Sequence, residues 1–546
     1  MIAHGLHGLA SNNADVTVIG AGPAGITLAL ECARIGKSVL LLESGAKGGS
    51  RDAQQLSGAQ IIDVNSHYEM AVCVSRRFGG ASNLWGARCQ PLDPIDFSAR
   101  PGLTEAKWPI AFEELLPFYA AACSYASCGE PAFTAAAMHD ALHDRAQVDT
   151  HRLERFSNRP KFQRAHKTSL SSPRIDVRLN ATVIGFALRE NGAIGEIVVS
   201  RSGRERITIP VREVVIACGG LESTRLLLTI QREHPEIFGG TGGPLGRYYM
   251  AHLVGDIANI TFASDNHVDA FGFLLDGNGS YVRRRMILSD EVQRENKLLN
   301  CAFWPIVMPV SDASHGSGIS SLAYLTVALG PLARRVLPEA IRMRHLRPDV
   351  AWTRHLENAM RDLPRIAAFL PKFAYQRYVA TARLPGFFVK NRMRRYGLAY
   401  HQEQLSDRSS RVWLNRDTDR LGVPRLSVCL KFDRRNAESL VRSHRLLQKW
   451  LDRTSVGTLH YRYPNEELED TVLARARHGT HQIGTARMGL DRRDAVVDRS
   501  LRTFDVPNLH VLSSAVMPTS GQAGPTLTII ALAVKLARDL GQTLTA

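Results

Sequence analysis

The chain has 546 residues, 44% of them hydrophobic and 22% charged. That length exceeds the size at which one core stops growing, so two packed units are expected, and both a small stapled domain and a disordered chain are excluded. The formal net charge is +16, and it is local: between Arg334 and Arg395 there are 15 Lys and Arg against 4 acids.

Near the N-terminus, Asp15 to Ile19 reads as a buried strand, Pro23 to Ile35 as a helix and Ser38 to Leu42 as the next strand, a unit that implies a parallel sheet. From Ile175 to Ile216 come short β-branched runs with turns at Asn191-Gly192 and Ser202-Gly203, the pattern of an antiparallel meander. After about Asp256 the composition turns irregular. Within it, Leu337, Ile341, Leu346, Leu356, Met360, Leu363, Ile366, Leu370 and Phe373 recur among the cations at mostly helical spacing. The prediction is an amphipathic helical insertion over 330–397, either a solvated face or one that docks on a membrane surface or a partner. Nucleic acid is not expected, because neither stacking aromatics nor a recognition motif accompanies the charge. Pro525 to Gln542 closes the chain as a helix, and no internal repeat is present.

Eight cysteines without a CxxC pair suggest neither a zinc site nor a disulfide framework. No signal-peptide pattern opens the chain, and Leu527 to Ala537, broken by Lys535, falls short of the ~20 apolar residues that a bilayer span needs. A cytoplasmic protein is expected, peripheral at the inner face of the membrane if the basic insertion docks there.

Gly20-Ala-Gly22-Pro-Ala-Gly25 follows a strand and opens a helix, as a dinucleotide fingerprint requires. Gly20 permits the tight turn, Gly22 the approach of a pyrophosphate and Gly25 the close packing of helix on strand, with the phosphates on the helix N-terminus. Glu43, 18 residues beyond Gly25, ends the second strand where it can accept from both ribose hydroxyls and repel a 2′-phosphate.

Four further segments occur in order: Phe78-Gly-Gly-Ala-Ser-Asn-Leu-Trp-Gly86, Val214 to Leu228 (VVIACGGLESTRLLL), His481 to Gly489 (HQIGTARMG) and Asn508 to Ala533. Together, and with Trp108-Pro-Ile and the YHQEQ at Tyr400, they resemble the glucose-methanol-choline family of flavoprotein oxidoreductases, in particular bacterial members related to sugar and polyol dehydrogenases. The resemblance implies an FAD-dependent enzyme that takes two hydrogens from a small-molecule alcohol, a base accepting the hydroxyl proton while the carbinol hydride goes to the flavin.

On this resemblance His481 is the general base, a role suited to a neutral imidazole. Gly79 and Gly80 let a loop lie flat on the isoalloxazine, with Ser82 and Asn83 offering donors to its polar edge. Leu84 stands where some relatives attach flavin through histidine, so FAD is expected without a covalent bond. Val183 is placed at the adenine and Cys218 beside the cofactor. Pro525 and Thr526 open a helix whose N-terminus stabilises the reduced flavin. Arg487 is read as fixing its loop. The family's usual Asn or His before Pro-Thr is replaced by Gly524, and a water, Gln522, a polar group of the substrate or an altered site takes its place. His478 suggests a metal pair with His481, but no third ligand is apparent and no metal is expected.

The fold expected is α/β: a Rossmann-like FAD-binding domain, with parallel sheet and meander, interleaved with an α+β substrate domain on a mixed sheet. Residues 1–110, 175–255 and 474–546 are assigned to the first, 111–174 to a connecting segment and 256–473 to the second. The acceptor expected is a quinone or other carrier. Two other readings stand beside the dehydrogenase: an oxidase using oxygen, and a non-redox lyase that keeps FAD.

Overall fold

The computed structural model describes residues 2–104, 106–135, 146–201, 203, 205–329, 352–386 and 388–544. Val16–Ile19 and Val39–Glu43 are almost wholly aliphatic and buried, as strands covered on both faces must be. The helix Pro23–Arg34 crosses between them. They lie at the centre of a six-stranded sheet in the order Ile2–His4, Ile175–Leu179, Val39–Glu43, Val16–Ile19, Glu213–Ile216, Leu509–Val511. Every pair in it is parallel. The predicted meander is Thr182–Leu188, Ile194–Arg201 and Glu205–Pro210, antiparallel throughout. Gly192 takes a φ of +79° at its first turn, whereas Ser202 of the second turn lies outside the described residues. The closing helix Thr526–Thr543 and the helix Phe112–Ala126 share one core with this sheet, and the Tyr119 and Thr528 hydroxyls meet at 3.1 Å.

A second core lies on another six-stranded sheet, ordered Gly457–Tyr461, His252–Phe262, Arg395–Glu403, Cys301–Ile306, Met286–Leu288, Val148–Asp149. Its pairs are all antiparallel. Among the described residues, mixed pairing is confined to a small sheet, where Pro424–Cys429 runs antiparallel to Arg411–Thr418 and parallel to Gln60–Ile61. The helix Arg434–Thr454 lays Leu440, Val441, Leu447, Trp450 and Leu451 into the second core.

Of the basic insertion, Leu337, Ile341 and Leu346 lie outside the described residues. The helices Trp352–Arg361 and Leu363–Ala374 follow, with Gly318–Leu329 before them. The first is inverted relative to an ordinary surface helix. His355 and Asn358 are buried, bonding Ser311, Ala313 and Ser321, while Trp352, Leu356 and Met360 are exposed. No helix among the described residues is long and apolar enough to cross a membrane.

Candidate active site

A cleft runs along the C-terminal ends of the central parallel strands, where open α/β sheets place ligands. Gly20, Gly22, Glu43, Gly80, Val183, Cys218, His481, Pro525 and Thr526 all line it. At one end the chain turns sharply at Gly20, φ +104°, where a Cβ would stand 2.6 Å from the Ala217 carbonyl oxygen. A Cβ on Gly25 would lie 1.9 Å from the Gly20 oxygen, so helix and strand touch there. Gly22 differs: a Cβ would meet only Gly80 Cα, at 3.9 Å, because its face opens on the cleft. The helix behind it has no side-chain cap and no acid in its first turn, which leaves its first amides to a phosphate. Glu43 is buried, its carboxylate accepting from Ala21 N at 3.0 Å and Gly45 N at 2.8 Å. Burial raises its pKa against those two bonds, and each oxygen retains a lone pair for a ribose hydroxyl. Val183 and Thr182 border the same end, and Cys218, held by burial at about 12, stays a thiol. These features fit an adenine dinucleotide.

The Phe78–Gly86 loop departs from expectation in one respect. Gly79 and Gly80 do take positive φ, +90° and +50°, and a Cβ on Gly80 would press to 2.9 Å of Gly22 Cα. Ser82 and Asn83, however, are turned into their own loop. Ser82 Oγ donates to the Gly79 carbonyl at 2.6 Å, and Asn83 Nδ2 to the carbonyls of Phe78 and Gly80 at 3.0 Å each. Their donors hold the short 3₁₀ turn Gly80–Asn83, and Gly80 and Ala81 face the cleft instead. Leu84 is exposed.

At the other end stand four histidines. The antiparallel register Val254↔His401 and His252↔Glu403 sets His252 and His401 diagonally on one sheet face, ring centroids 4.1 Å apart. His478 and His481 come from the C-terminal segment, their rings 5.0 Å apart. His252 Nε2 lies 3.2 Å from the Ser520 carbonyl, to which it donates, leaving its Nδ1 as an acceptor. His481 Nδ1 lies 3.0 Å from that Nδ1 and therefore donates. This network assigns the lone pair of His481 to Nε2, 3.9 Å from where a Cβ on Gly524 would stand. Burial first, then neighbouring imidazoles or the Arg88 cation, hold all four well below the usual histidine range, so they are neutral. Beside His478 and His481 the structure thus places two further imidazoles that the sequence did not show, those of His252 and His401. YHQEQ contained His401, but nothing in its spacing pointed to residues 77 and 80 positions further on.

Gln522 is corrected by the structure. Its amide is fixed in a buried polar network, Oε1 accepting from Arg285 at 2.5 Å and Nε2 donating to Asp93 at 2.7 Å. It therefore does not replace the missing partner at Gly524. Its backbone carbonyl instead accepts from His401 Nδ1 at 2.6 Å. Asn300 bridges Asp93 and Asp96 at 2.9 Å each. Burial and the Asp93 charge push Asp96 well above the usual carboxylate range. Arg487 holds its loop, as expected, donating to the Asp494 carbonyl at 2.7 Å and covering Tyr248.

Comparison with known proteins agrees with this architecture. The chain spans less than a quarter of the length of the curated relatives it matches. It is 42% identical over 69 residues to 2-methyl-1,2-propanediol dehydrogenase of Mycolicibacterium austroafricanum (13% of this chain, 12% of that one). It is 32% identical over 141 residues to the fructose dehydrogenase large subunit of Gluconobacter japonicus (25% and 23%). In fold it is similar to pyridoxine 4-oxidase from Mesorbium loti, with a TM-score of 0.57 at 16% identity over 96% of this chain and 99% of the other. Formate oxidase of Aspergillus oryzae RIB40 gives 0.54 at 14% over 98% and 99%. Residues 15–242 match the family model of FAD dependent oxidoreductases and residues 406–533 that of GMC oxidoreductases, so the chain is similar to FAD-dependent oxidoreductases over its first part and to the GMC (glucose-methanol-choline) oxidoreductases over its last.

Proposed function

We propose that the protein oxidises a CH–OH group of a sugar, polyol or hydroxylated metabolite, with His481 as general base and FAD bound without a covalent link. FAD, when bound along the Gly20–Gly25 turn, supplies the hydride acceptor. The observation that carries the reading is the orientation of His481: its Nδ1–H is engaged by His252, so its free lone pair at Nε2 borders the open space beside Gly524. There it takes the hydroxyl proton as the carbinol hydrogen leaves as hydride. His252, anchored to Ser520, fixes that tautomer and offers the displaced charge a nearby dipole. The first-turn amides of Thr526–Thr543, with no acid among them, favour negative charge at the same end of the cleft. Leu84 supports non-covalent binding, since leucine offers no nucleophile.

The acceptor proposed is a quinone or similar carrier reached at the inner face of a membrane. The inverted helix Trp352–Arg361 supports this, with exposed Trp352, Leu356 and Met360 beside Arg354 and Arg361, an arrangement suited to an anionic lipid surface. Sedimentation with vesicles tests the docking: pelleting with anionic lipid is expected, and equal pelleting with neutral lipid removes the argument. The reaction is tested by adding sugars and polyols to the yellow holoenzyme without oxygen. Bleaching by one of them is expected, a lyase would leave the flavin oxidised, and reoxidation by oxygen at the rate of turnover would mark an oxidase.

A further inference from the structure

We propose that His252, His401, His478 and His481 form a binding site for a divalent transition-metal ion of the zinc and copper class, and that loading it withdraws His481 from proton transfer. One ring nitrogen from each lies within 4.8 Å of the other three. A tetrahedral ion with nitrogen ligands at ~2.0–2.1 Å sets those nitrogens about 3.3 Å apart, so the rings need to close by roughly 1 Å or less each. His252 and His481 already stand at 3.0 Å.

Two further observations point to a ligand. The far nitrogens of His252 and His401 face backbone carbonyls, Ser520 at 3.2 Å and Gln522 at 2.6 Å. Metal-ligating imidazoles are oriented in just this manner, the remote N–H donated and the near lone pair presented. His478 is more than nine-tenths buried, and its Nδ1 has no hydrogen-bond partner. A neutral four-imidazole set selects zinc or copper over magnesium or calcium, which demand oxygen. A fixed cation that acts on the cluster, Arg88, is paired with Glu154 at 2.7 Å. Its residual field opposes a metal ion and weakens its binding.

Binding and catalysis compete for one ring. With the Nδ1 lone pair of His481 on the metal, its proton sits on Nε2, the atom that otherwise accepts from the substrate. The tautomer shifts, and no proton is gained or lost. This second half rests on the proposed oxidation, whereas the binding itself does not.

The test is calorimetric titration of the FAD-loaded protein with Zn²⁺, alongside the electron paramagnetic resonance spectrum of the Cu²⁺ form. One Zn²⁺ per chain is expected, with nitrogen couplings in the Cu²⁺ spectrum and binding at least ten-fold weaker in His478→Ala and His252→Ala. The near-isosteric His478→Gln, checked for flavin content, serves if the alanine variant fails to fold. Zn²⁺ should also block substrate bleaching of the flavin reversibly, a chelator restoring it. Absence of stoichiometric binding, or equal binding by the variants, overturns the site. Binding without a block overturns its effect on His481. If no alcohol bleaches the flavin yet Zn²⁺ binds, the oxidation reading fails and the metal site stands.

Discussion

At its dinucleotide end the cleft is made of backbone, and at its other end of imidazole. The first end comes from contiguous segments, a turn at residues 20–25 and a strand end at Glu43, where Gly20 and Gly25 are fixed by contacts under 3 Å to main-chain oxygens. The second is assembled from positions 252, 401, 478 and 481, which meet only because two strands pair in a particular register and a C-terminal loop returns beside them. A site built from backbone must place glycines at set intervals. One built from side chains across a sheet has no such obligation.

The sharpest way to break this contrast is to remove the imidazole proposed as the base and ask whether the cradle notices. His481→Ala is expected to slow flavin reduction by about 10²–10⁴-fold, the usual contribution of a general base, while cofactor content stays at one per chain. Rapid-mixing reduction measured with the absorbance spectrum checks both. Loss of the yellow colour along with the rate would mean that the two ends are one structural unit.

The same contrast explains what was legible. The strand, helix, strand unit was read within about a residue at each boundary because Val16–Ile19 and Val39–Glu43 are nearly pure aliphatic runs. His481 was found through its surrounding motif. Ser82 and Asn83 were assigned outward donors because the residue types allow it, yet the carbonyls of a tight turn at Phe78, Gly79 and Gly80 claim those donors locally. Gln522 was drawn away by Arg285 and Asp93, whose positions 237 and 429 residues earlier in the chain carry no local signal.

Acid should next set the second core apart from the cleft. His444 lies in the second core against Phe303 and Tyr400, and burial lowers its pKa to about 4. The unfolded chain binds that proton near 6.5, so the stability it contributes is complete above 6.5 and is lost as pH falls through 4. On the order of 3 kcal/mol is at stake for this one ring. Thermal melts of wild type and His444→Leu from pH 7 to 4 should therefore diverge steadily in favour of the variant. Parallel curves would show that His444 does not make the second core sensitive to acid.

Within the cradle, two neighbouring glycines should behave differently. Gly22→Ala adds a methyl that meets only Gly80 Cα, at 3.9 Å, so the fold should persist while the methyl intrudes on the pyrophosphate. Overpacking of ~1–3 kcal/mol corresponds to a loss in FAD affinity of roughly 5–150-fold. Gly25→Ala, with its Cβ 1.9 Å from the Gly20 oxygen, should instead disturb the turn and lower the melting temperature even in excess FAD. FAD titrations followed by flavin fluorescence separate the two, and an unaltered affinity in Gly22→Ala would remove the argument that this face is the phosphate seat.

The smallest effect expected is the most informative about the imidazole end. Gly524 is not in a left-handed conformation, and a Cβ there would stand 3.7 Å from His481 Cε1 and 3.9 Å from Nε2, ordinary contact distances. Gly524→Asn should fold without loss of stability and return the amide that relatives place beside the base. One added hydrogen bond to the substrate hydroxyl is worth about 0.5–1.5 kcal/mol, so the reduction rate should rise by no more than roughly ten-fold. A rise would mean that glycine left the hydroxyl under-bonded. A fall of more than ten-fold would mean that the space beside Gly524 is occupied in turnover, by the substrate's own polar group or by a water held against the histidines. The imidazole end would then be a site rebuilt around that glycine, and the missing side chain part of its specificity.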